Sequence, residues 1–331
     1  MEGFSMPAEW APHERTLMAW PARRALWGDL YEQAEADYSV CARAVARFEP
    51  VLMVANPGDG RRAMNACGTG VEVIEFPIDD SWLRDNGPIV VTRADGARLV
   101  VDFGFNAWGG RYPPFERDAD LTRLLGDHLG LRRRASTLIL EGGSIDVDGA
   151  GTLITTEQCL LDPSRNPALG RSEIEDTLCS WLGVAKVLWA GGGLLEDTDT
   201  DGHVDNVCRF AGPGRLLVQT APPDDANHAG LLANYRRLEG ATDAGGVPIE
   251  IVPFGVLPDA WFRGRRLPVS YLNFYLANGG VVVPLAGTRS DPEALELLGG
   301  LWPGREVVGV PGGTLAFGGG GVHCITQQVP A

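Results

Sequence analysis

Glu141-Gly142-Gly143-Ser144-Ile145-Asp146-Val147-Asp148-Gly149-Ala150-Gly151-Thr152-Leu153-Ile154-Thr155 is the stretch that decides how this chain is organised. Two short strand-like runs, Ile145-Asp146-Val147 and Thr152-Leu153-Ile154-Thr155, flank a turn that begins at Asp148-Gly149. That pair is hairpin chemistry, because Asp and Gly tolerate the backbone angles of a tight reversal. A polar quartet headed by a carboxylate stands just before the first run. Downstream, residues 174–182 carry apolar side chains three and four apart, the spacing of a helix with one buried face, and 184–189 read as a short strand.

The same order recurs outward in both directions. Helical patterns over 30–47, 119–131, 226–238 and 292–301 lead into strands at 51–55, 136–140, 249–252 and 306–310. Hairpins are predicted around Ala94-Asp95-Gly96, Gly212-Pro213-Gly214 and Asn278-Gly279-Gly280. A chemistry-bearing residue stands at or near the start of each hairpin or its counterpart: Asp85, Glu141, His203 with Asp205, the Ser270–Asn273 stretch, and Cys324. Their separations, roughly 55–65 residues, fit an internal repeat of helix, strand and hairpin. If such units close into a ring, the five positions converge on one central channel, and no sheet edge is left open. The expected fold class is therefore α/β, a five-fold pseudosymmetric propeller around an active-site channel, formed as a single domain over residues 1–331. A two-layer α/β domain would leave the spacing unexplained.

Composition narrows the function. The 331 residues are 44% hydrophobic, ample for a core, and 43 acidic against 28 basic residues give a net charge of -15. Such a surface repels nucleic acid and anionic membranes and favours cationic small molecules. No apolar run approaches the roughly 20 residues of a membrane span, and Met1 to Met6 lack the features of a secretory signal, so a cytoplasmic location is expected. Six scattered cysteines then read as free thiols, with no zinc-ligand spacing among them. Neither glycine run, 191–193 or 318–321, fits a P-loop or a dinucleotide fingerprint; both read as tight turns and close backbone approaches. No metal or other cofactor is expected, and the sequence leaves a homo-oligomer open. Asp197-Thr198-Asp199-Thr200-Asp201-Gly202 opens like a calcium loop, but Cys208 stands where the bidentate glutamate belongs.

One thiol, one imidazole and several carboxylates suit attack by sulfur on a planar cationic carbon. A guanidinium is held best by carboxylates in bidentate contact, and its cleavage needs a strong nucleophile and an acid for the departing ammonia. In that scheme Cys324 is the nucleophile and His203 the acid and later the base. Asp85 and Asp205 grip the guanidinium nitrogens, and Glu141 orients and charges His203. The acidic loop from Asp197 to Asp201, with Asp197 and Asp199 foremost, is then a receptor for a second positive charge. Each residue alone has a commonplace structural role; the set at repeat spacing does not.

These motifs resemble agmatine deiminases of the bacterial and plant type, close to the Porphyromonas-type peptidylarginine deiminases within the guanidine-modifying superfamily. The resemblance runs almost end to end. It rests on Met6-Pro7-Ala8-Glu9-Trp10, Met18-Ala19-Trp20-Pro21, Asp80-Ser81-Trp82-Leu83-Arg84-Asp85-Asn86-Gly87-Pro88 and Asp102-Phe103-Gly104-Phe105-Asn106-Ala107-Trp108-Gly109-Gly110. To these it adds Glu141-Gly142-Gly143-Ser144, Gly202-His203-Val204-Asp205-Asn206 and Gly319 through Gln328. The resemblance implies the five-fold α/β propeller and hydrolysis of agmatine to N-carbamoylputrescine and ammonia through an amidino-cysteine, without cofactor, a step of putrescine and polyamine biosynthesis. It also implies Trp108 along the substrate spacer and Asp197 and Asp199 near its terminal ammonium. The chain departs from the pattern at Gly321 (commonly Asn), at Phe103 (commonly Trp) and over 191–196. Another guanidino compound, peptidylarginine, amidino transfer to an amine, and a non-catalytic propeller that binds a macromolecule are the competing readings.

Overall fold

The computed structural model describes residues 2–331, which gather into two compact units. One holds the chain up to Ala8 with Ile89–Pro113 and Gly126–Leu257; the other holds Glu9–Pro88, Pro114–Leu125 and Pro258–Ala331.

Three sheets of the first unit follow one plan. Strands Ile89–Arg93 and Arg98–Gly104 form an antiparallel hairpin, and Arg132–Ile139 returns parallel to the second of them. Ile145–Val147 and Thr152–Thr156 pair in the same way, with Lys186–Ala190 parallel beside them. Cys208–Gly212, Arg215–Gln219 and Glu250–Phe254 make the third. A helix precedes each returning strand because a parallel neighbour can be reached only by a crossover.

The second unit holds two more sheets of this kind. Tyr275–Ala277 and Gly280–Leu285 form a hairpin with Glu306–Pro311 parallel to it. In the other sheet the hairpin is assembled from the two ends of the chain: Thr326–Pro330 lies antiparallel to His13–Ala19, and Val51–Ala55 follows in parallel. A further helix, Gly60–Cys67, and strand, Val71–Glu75, extend that sheet and were not anticipated. Five repeats are thus present among the described residues, as the spacing predicted.

Local sequence explains why the elements form where they do. In the helix Arg171–Leu182, Ile174, Leu178 and Leu182 fall on one face and are buried. They join Val91, Val101, Leu153 and Leu138 in one core. Glu173 reaches back to accept the Gly170 N–H at 2.6 Å, satisfying an orphan donor at the helix start. Gly183 ends the helix at φ 65°, a conformation that favours glycine.

One sequence expectation needs correction. The strand read at 136–140 begins at Arg132, where four successive residues are exposed on an edge strand. Solvated arginine stems can occupy such an edge, so an apolar-run criterion misses it. Cys324 lies in the turn before the strand Thr326–Pro330.

In the second unit a buried acid pair fixes the entry to the Asp85 segment. Asp118 accepts the N–H groups of Asp79 and Asp80 at 2.8 and 3.2 Å. Asp80 in turn takes the Arg23 Nε donor at 2.8 Å and the Ser81 N–H at 2.9 Å. Burial pushes the Asp118 carboxyl up to about 7, helped by the nearby Asp80 charge, and burial pushes Asp80 up to about 6 against the pull of Arg23. A carboxyl whose folded value is raised binds its proton more tightly when folded. Its stabilisation is therefore complete below about pH 4 and is lost as the pH rises through about 7. Asp118→Asn keeps the acceptor and removes the charge. At pH 8 the variant should be about 2–4 kcal/mol more stable than wild type, and the difference should fade by pH 4. Urea unfolding at the two pH values checks this.

Candidate active site

The five repeat positions occupy equivalent places, each in a turn or short helix before the first strand of a hairpin. Asp85, in the helix Leu83–Asn86, precedes Ile89–Arg93. Glu141 precedes the 3-10 turn Gly142–Ser144, and His203 precedes the 3-10 turn Val204–Asn206, which carries Asp205. Asn273 precedes Tyr275, and Cys324 precedes Thr326. All are buried.

In the first unit the structure brings Glu141, His203 and Cys159 together, with their ligand-type atoms within 4.8 Å of one another. Asp197 and Asp205 are also close: the His203 charge pulls the Asp197 carboxyl down and Asp205 pushes it up, while burial, the largest influence, raises it. Arg165 was not foreseen. Its Nε donates to Glu141 Oε1 at 3.1 Å, its Nη2 to the Thr200 carbonyl at 2.9 Å, and its Nη1 to Asp201. Cys159 shares the spacing that would admit a divalent ion, but the donor set suits one poorly. A guanidinium already occupies Glu141, and burial together with the Glu141 charge holds the Cys159 thiol far above its ordinary range.

The loop before His203 uses its carboxylates individually. Asp197 caps it, taking the Thr200 N–H at 3.1 Å and the Thr200 hydroxyl at 2.6 Å; that hydroxyl accepts the His203 N–H at 3.2 Å. Asp201 sits at φ 61° and pairs with Arg165 and Arg111. Asp199 is half-buried and accepts the Tyr112 hydroxyl. Trp108 packs edge-on against Tyr112 and Phe105, with ring centroids 5.7 and 5.1 Å apart, and holds φ 54°. Trp108 and Asp199 therefore belong to one cluster through Tyr112, whereas Asp197 belongs to the loop beneath His203. Gly202 has φ 78°, and a Cβ there would strike the Gly193 backbone, so the glycine run 191–193 does permit a close approach.

The second unit brings Asp85, Cys324 and Asn273 into one setting. The Arg84 N–H donates to the Cys324 carbonyl at 3.1 Å, tying the Asp85 helix to the cysteine turn. Asn273 Oδ1 accepts the His323 N–H at 2.9 Å. That contact fixes the amide orientation and turns Nδ2 toward Cys324 Sγ, at 3.3 Å. The sulfur also lies 3.5 Å from Asn273 Oδ1, so one amide meets it with both its donor and its acceptor. The sequence placed Asn273 in the fourth repeat but gave it no role. Behind the cysteine, Glu9 Oε2 meets His323 Nε2 at 2.8 Å and Arg84 Nη2 at 3.1 Å, while its Oε1 accepts the Leu276 N–H at 2.9 Å. Arg84 also reaches Gln328 at 2.8 Å.

The chain is similar over nearly its whole length to known proteins. The model of the Porphyromonas-type peptidyl-arginine deiminase family matches residues 5–330. An agmatine deiminase of Pseudomonas aeruginosa is 42% identical, the match covering 100% of this chain and 96% of that protein. The solved agmatine deiminase of Enterococcus faecalis superposes with a TM-score of 0.95 at 33% identity, covering 99% of this chain and 96% of the other. A C. jejuni agmatine deiminase with substrate bound gives 0.90 at 25% identity, covering 99% and 96%. The α/β propeller fold class read from the sequence is the one these likenesses show. By a family match over nearly its whole length, the chain belongs to the Porphyromonas-type peptidyl-arginine deiminase family.

Proposed function

We propose that the chain is an agmatine deiminase, converting agmatine and water to N-carbamoylputrescine and ammonia. Full-length likeness to relatives of that name supports the substrate. The observation that carries the chemistry is the Asn273 amide donating to a buried Cys324 sulfur. Cys324 Sγ attacks the guanidinium carbon, and the C–N bond to the departing nitrogen breaks as His203 gives it a proton. Water, deprotonated by His203, then attacks the amidino-cysteine carbon and releases the ureido product and the thiol. Asp85 and Asp205 hold the guanidinium nitrogens and so disperse the charge that makes the carbon a poor electrophile. Glu141 orients His203 and favours its protonated form. Trp108 and Asp199 serve the aliphatic spacer and the far ammonium, with Asp197 bracing the loop. No helix among the described residues is long and apolar enough to cross a membrane, and the acidic balance favours approach of a dication such as agmatine.

A panel of agmatine, arginine, shorter and longer guanidinoalkylamines and a peptidylarginine, scored for ammonia and a ureido product, tests the substrate. Agmatine should turn over fastest, and preference for peptidylarginine would overturn the assignment. Release of ammonia without any added amine separates hydrolysis from amidino transfer. Cys324→Ser should lower kcat on the order of a thousandfold or more while agmatine still binds. Asn273→Asp replaces a donor beside sulfur with a negative charge, which disfavours the thiolate. Alkylation of Cys324 by iodoacetamide at pH 7 should slow about tenfold or more in that variant, as mass spectrometry of the labelled peptide would record.

A further inference from the structure

Arg165 is a buried charge beside Glu141 that the expected chemistry leaves unused. Its side chain is fully buried, and each of its donor nitrogens is engaged: Nε on Glu141, Nη1 on Asp201, Nη2 on the Thr200 carbonyl. The turn carrying it is closed by the Arg165 N–H on the Asp162 carbonyl at 3.1 Å and by the Ser164 N–H on Asp162 at 2.8 Å. Glu141 stands at the entry to one hairpin, and Thr200 and Asp201 lie in the loop ending at His203. One guanidinium therefore joins the acid that would charge His203 to the loop that carries His203.

We infer that Arg165 is a positioning residue for His203: it shares the Glu141 carboxylate with the imidazole, limiting how strongly the imidazolium is held, and it locks the 197–203 loop in place. This rests on the reading of His203 as the acid and base of the reaction. The charged and titratable groups around it are few. Glu141 faces Arg165, Cys159 and His203. His203 is surrounded by Glu141, Cys159, Asp197 and Asp205. Arg165 faces Glu141, Cys159 and Asp201, and Arg111 shares Asp201. Burial opposes the Arg165 charge, but Glu141 and Asp201 outweigh it and hold the guanidinium protonated. At every working pH it is thus a fixed cation competing with the imidazole for one carboxylate.

The sign of the effect follows. Without the cation, Glu141 acts wholly on His203, an opposite charge nearby favours the imidazolium, and the His203 midpoint rises. Asp201→Asn does the reverse, because it leaves the Arg165 charge to Glu141 and removes a negative charge from the cluster. Asparagine also accepts the left-handed backbone at this position. Two substitutions that damaged the fold alone would not move one midpoint in opposite directions.

The test is a titration of histidine ring signals in full-length protein labelled at histidine. The chain has only five histidines, and the His203 signal is assigned by its loss in His203→Gln. Arg165→Met should raise the His203 midpoint by roughly one pH unit, and Asp201→Asn should lower it. Arg165→Lys keeps the charge without the fork, so the midpoint should stay near wild type while kcat falls about tenfold at unchanged KM. Where Arg165→Met fails to fold, the Asp201→Asn and Arg165→Lys titrations decide the matter. An unmoved midpoint in Asp201→Asn, or shifts of one sign in both charge variants, would overturn the inference. The titration needs no turnover, so wild-type agmatine hydrolysis independently decides the reading on which the inference rests. With that activity present, the alkaline limb of kcat should move with the midpoint in each variant.

Discussion

A buried carboxylate, Glu9, holds the second unit's reactive groups in register. It accepts from Arg84, beside Asp85; from Leu276, three residues beyond Asn273; and it meets His323, beside Cys324. Three turns that are remote in sequence are thereby pinned by one side chain, each through a residue next to or near the one that carries chemistry. Removing such a charge from water costs several kcal/mol, recovered only when both oxygens find donors in good geometry. Glu9 meets that condition with a backbone N–H, a guanidinium and an imidazole. The result is a set of fixed positions for Asp85, Asn273 and Cys324 in place of three mobile loops.

The first unit solves the same problem with the opposite sign. There Arg165 is the buried charge, and Glu141, Asp201 and the Thr200 carbonyl are its partners. Around it the acidic loop is far from a solvated run of negative charge. Asp197 caps Thr200, Asp199 takes the Tyr112 hydroxyl, and Asp201 is neutralised by two arginines. Spending each carboxylate on a specific donor lets a dense acidic segment sit beside a buried imidazole without mutual repulsion unfolding it.

What was legible in the sequence follows the range of the interactions. Hairpins and amphipathic helices are set by neighbours a few residues apart, so Asp148-Gly149 and the Ile174, Leu178, Leu182 face could be read directly. The repeat could be read too, because equivalent positions carry reactive side chains at even spacing. Partners were not legible. His323 meets Glu9 across 314 positions, and nothing local marks Glu9 as its partner. Arg165 lies only 24 residues from Glu141, yet a lone arginine in a polar turn has the look of a solvated surface residue. Asn273 was placed by the repeat but not given its role, since donation to sulfur depends on an amide orientation that the His323 backbone sets.

The glycine run before Cys324, expected to serve tight turns and close approaches, divides these two roles among its members. Glycines are read first as residues that free the backbone, and Gly319 fits that reading with φ 105°. Its neighbours do not. Gly318, Gly320 and Gly321 have ordinary backbone angles, but a Cβ on each would collide with Trp27, with Trp82 and Cys324, or with Asn273. They are small because aromatic rings and an amide occupy the space a side chain would need. Gly321 is the clearest case. The space beside it is filled by the Asn273 amide whose nitrogen donates to the Cys324 sulfur. A side chain at 321 and this placement of Asn273 exclude one another, so the glycine belongs to the way this chain holds its thiol.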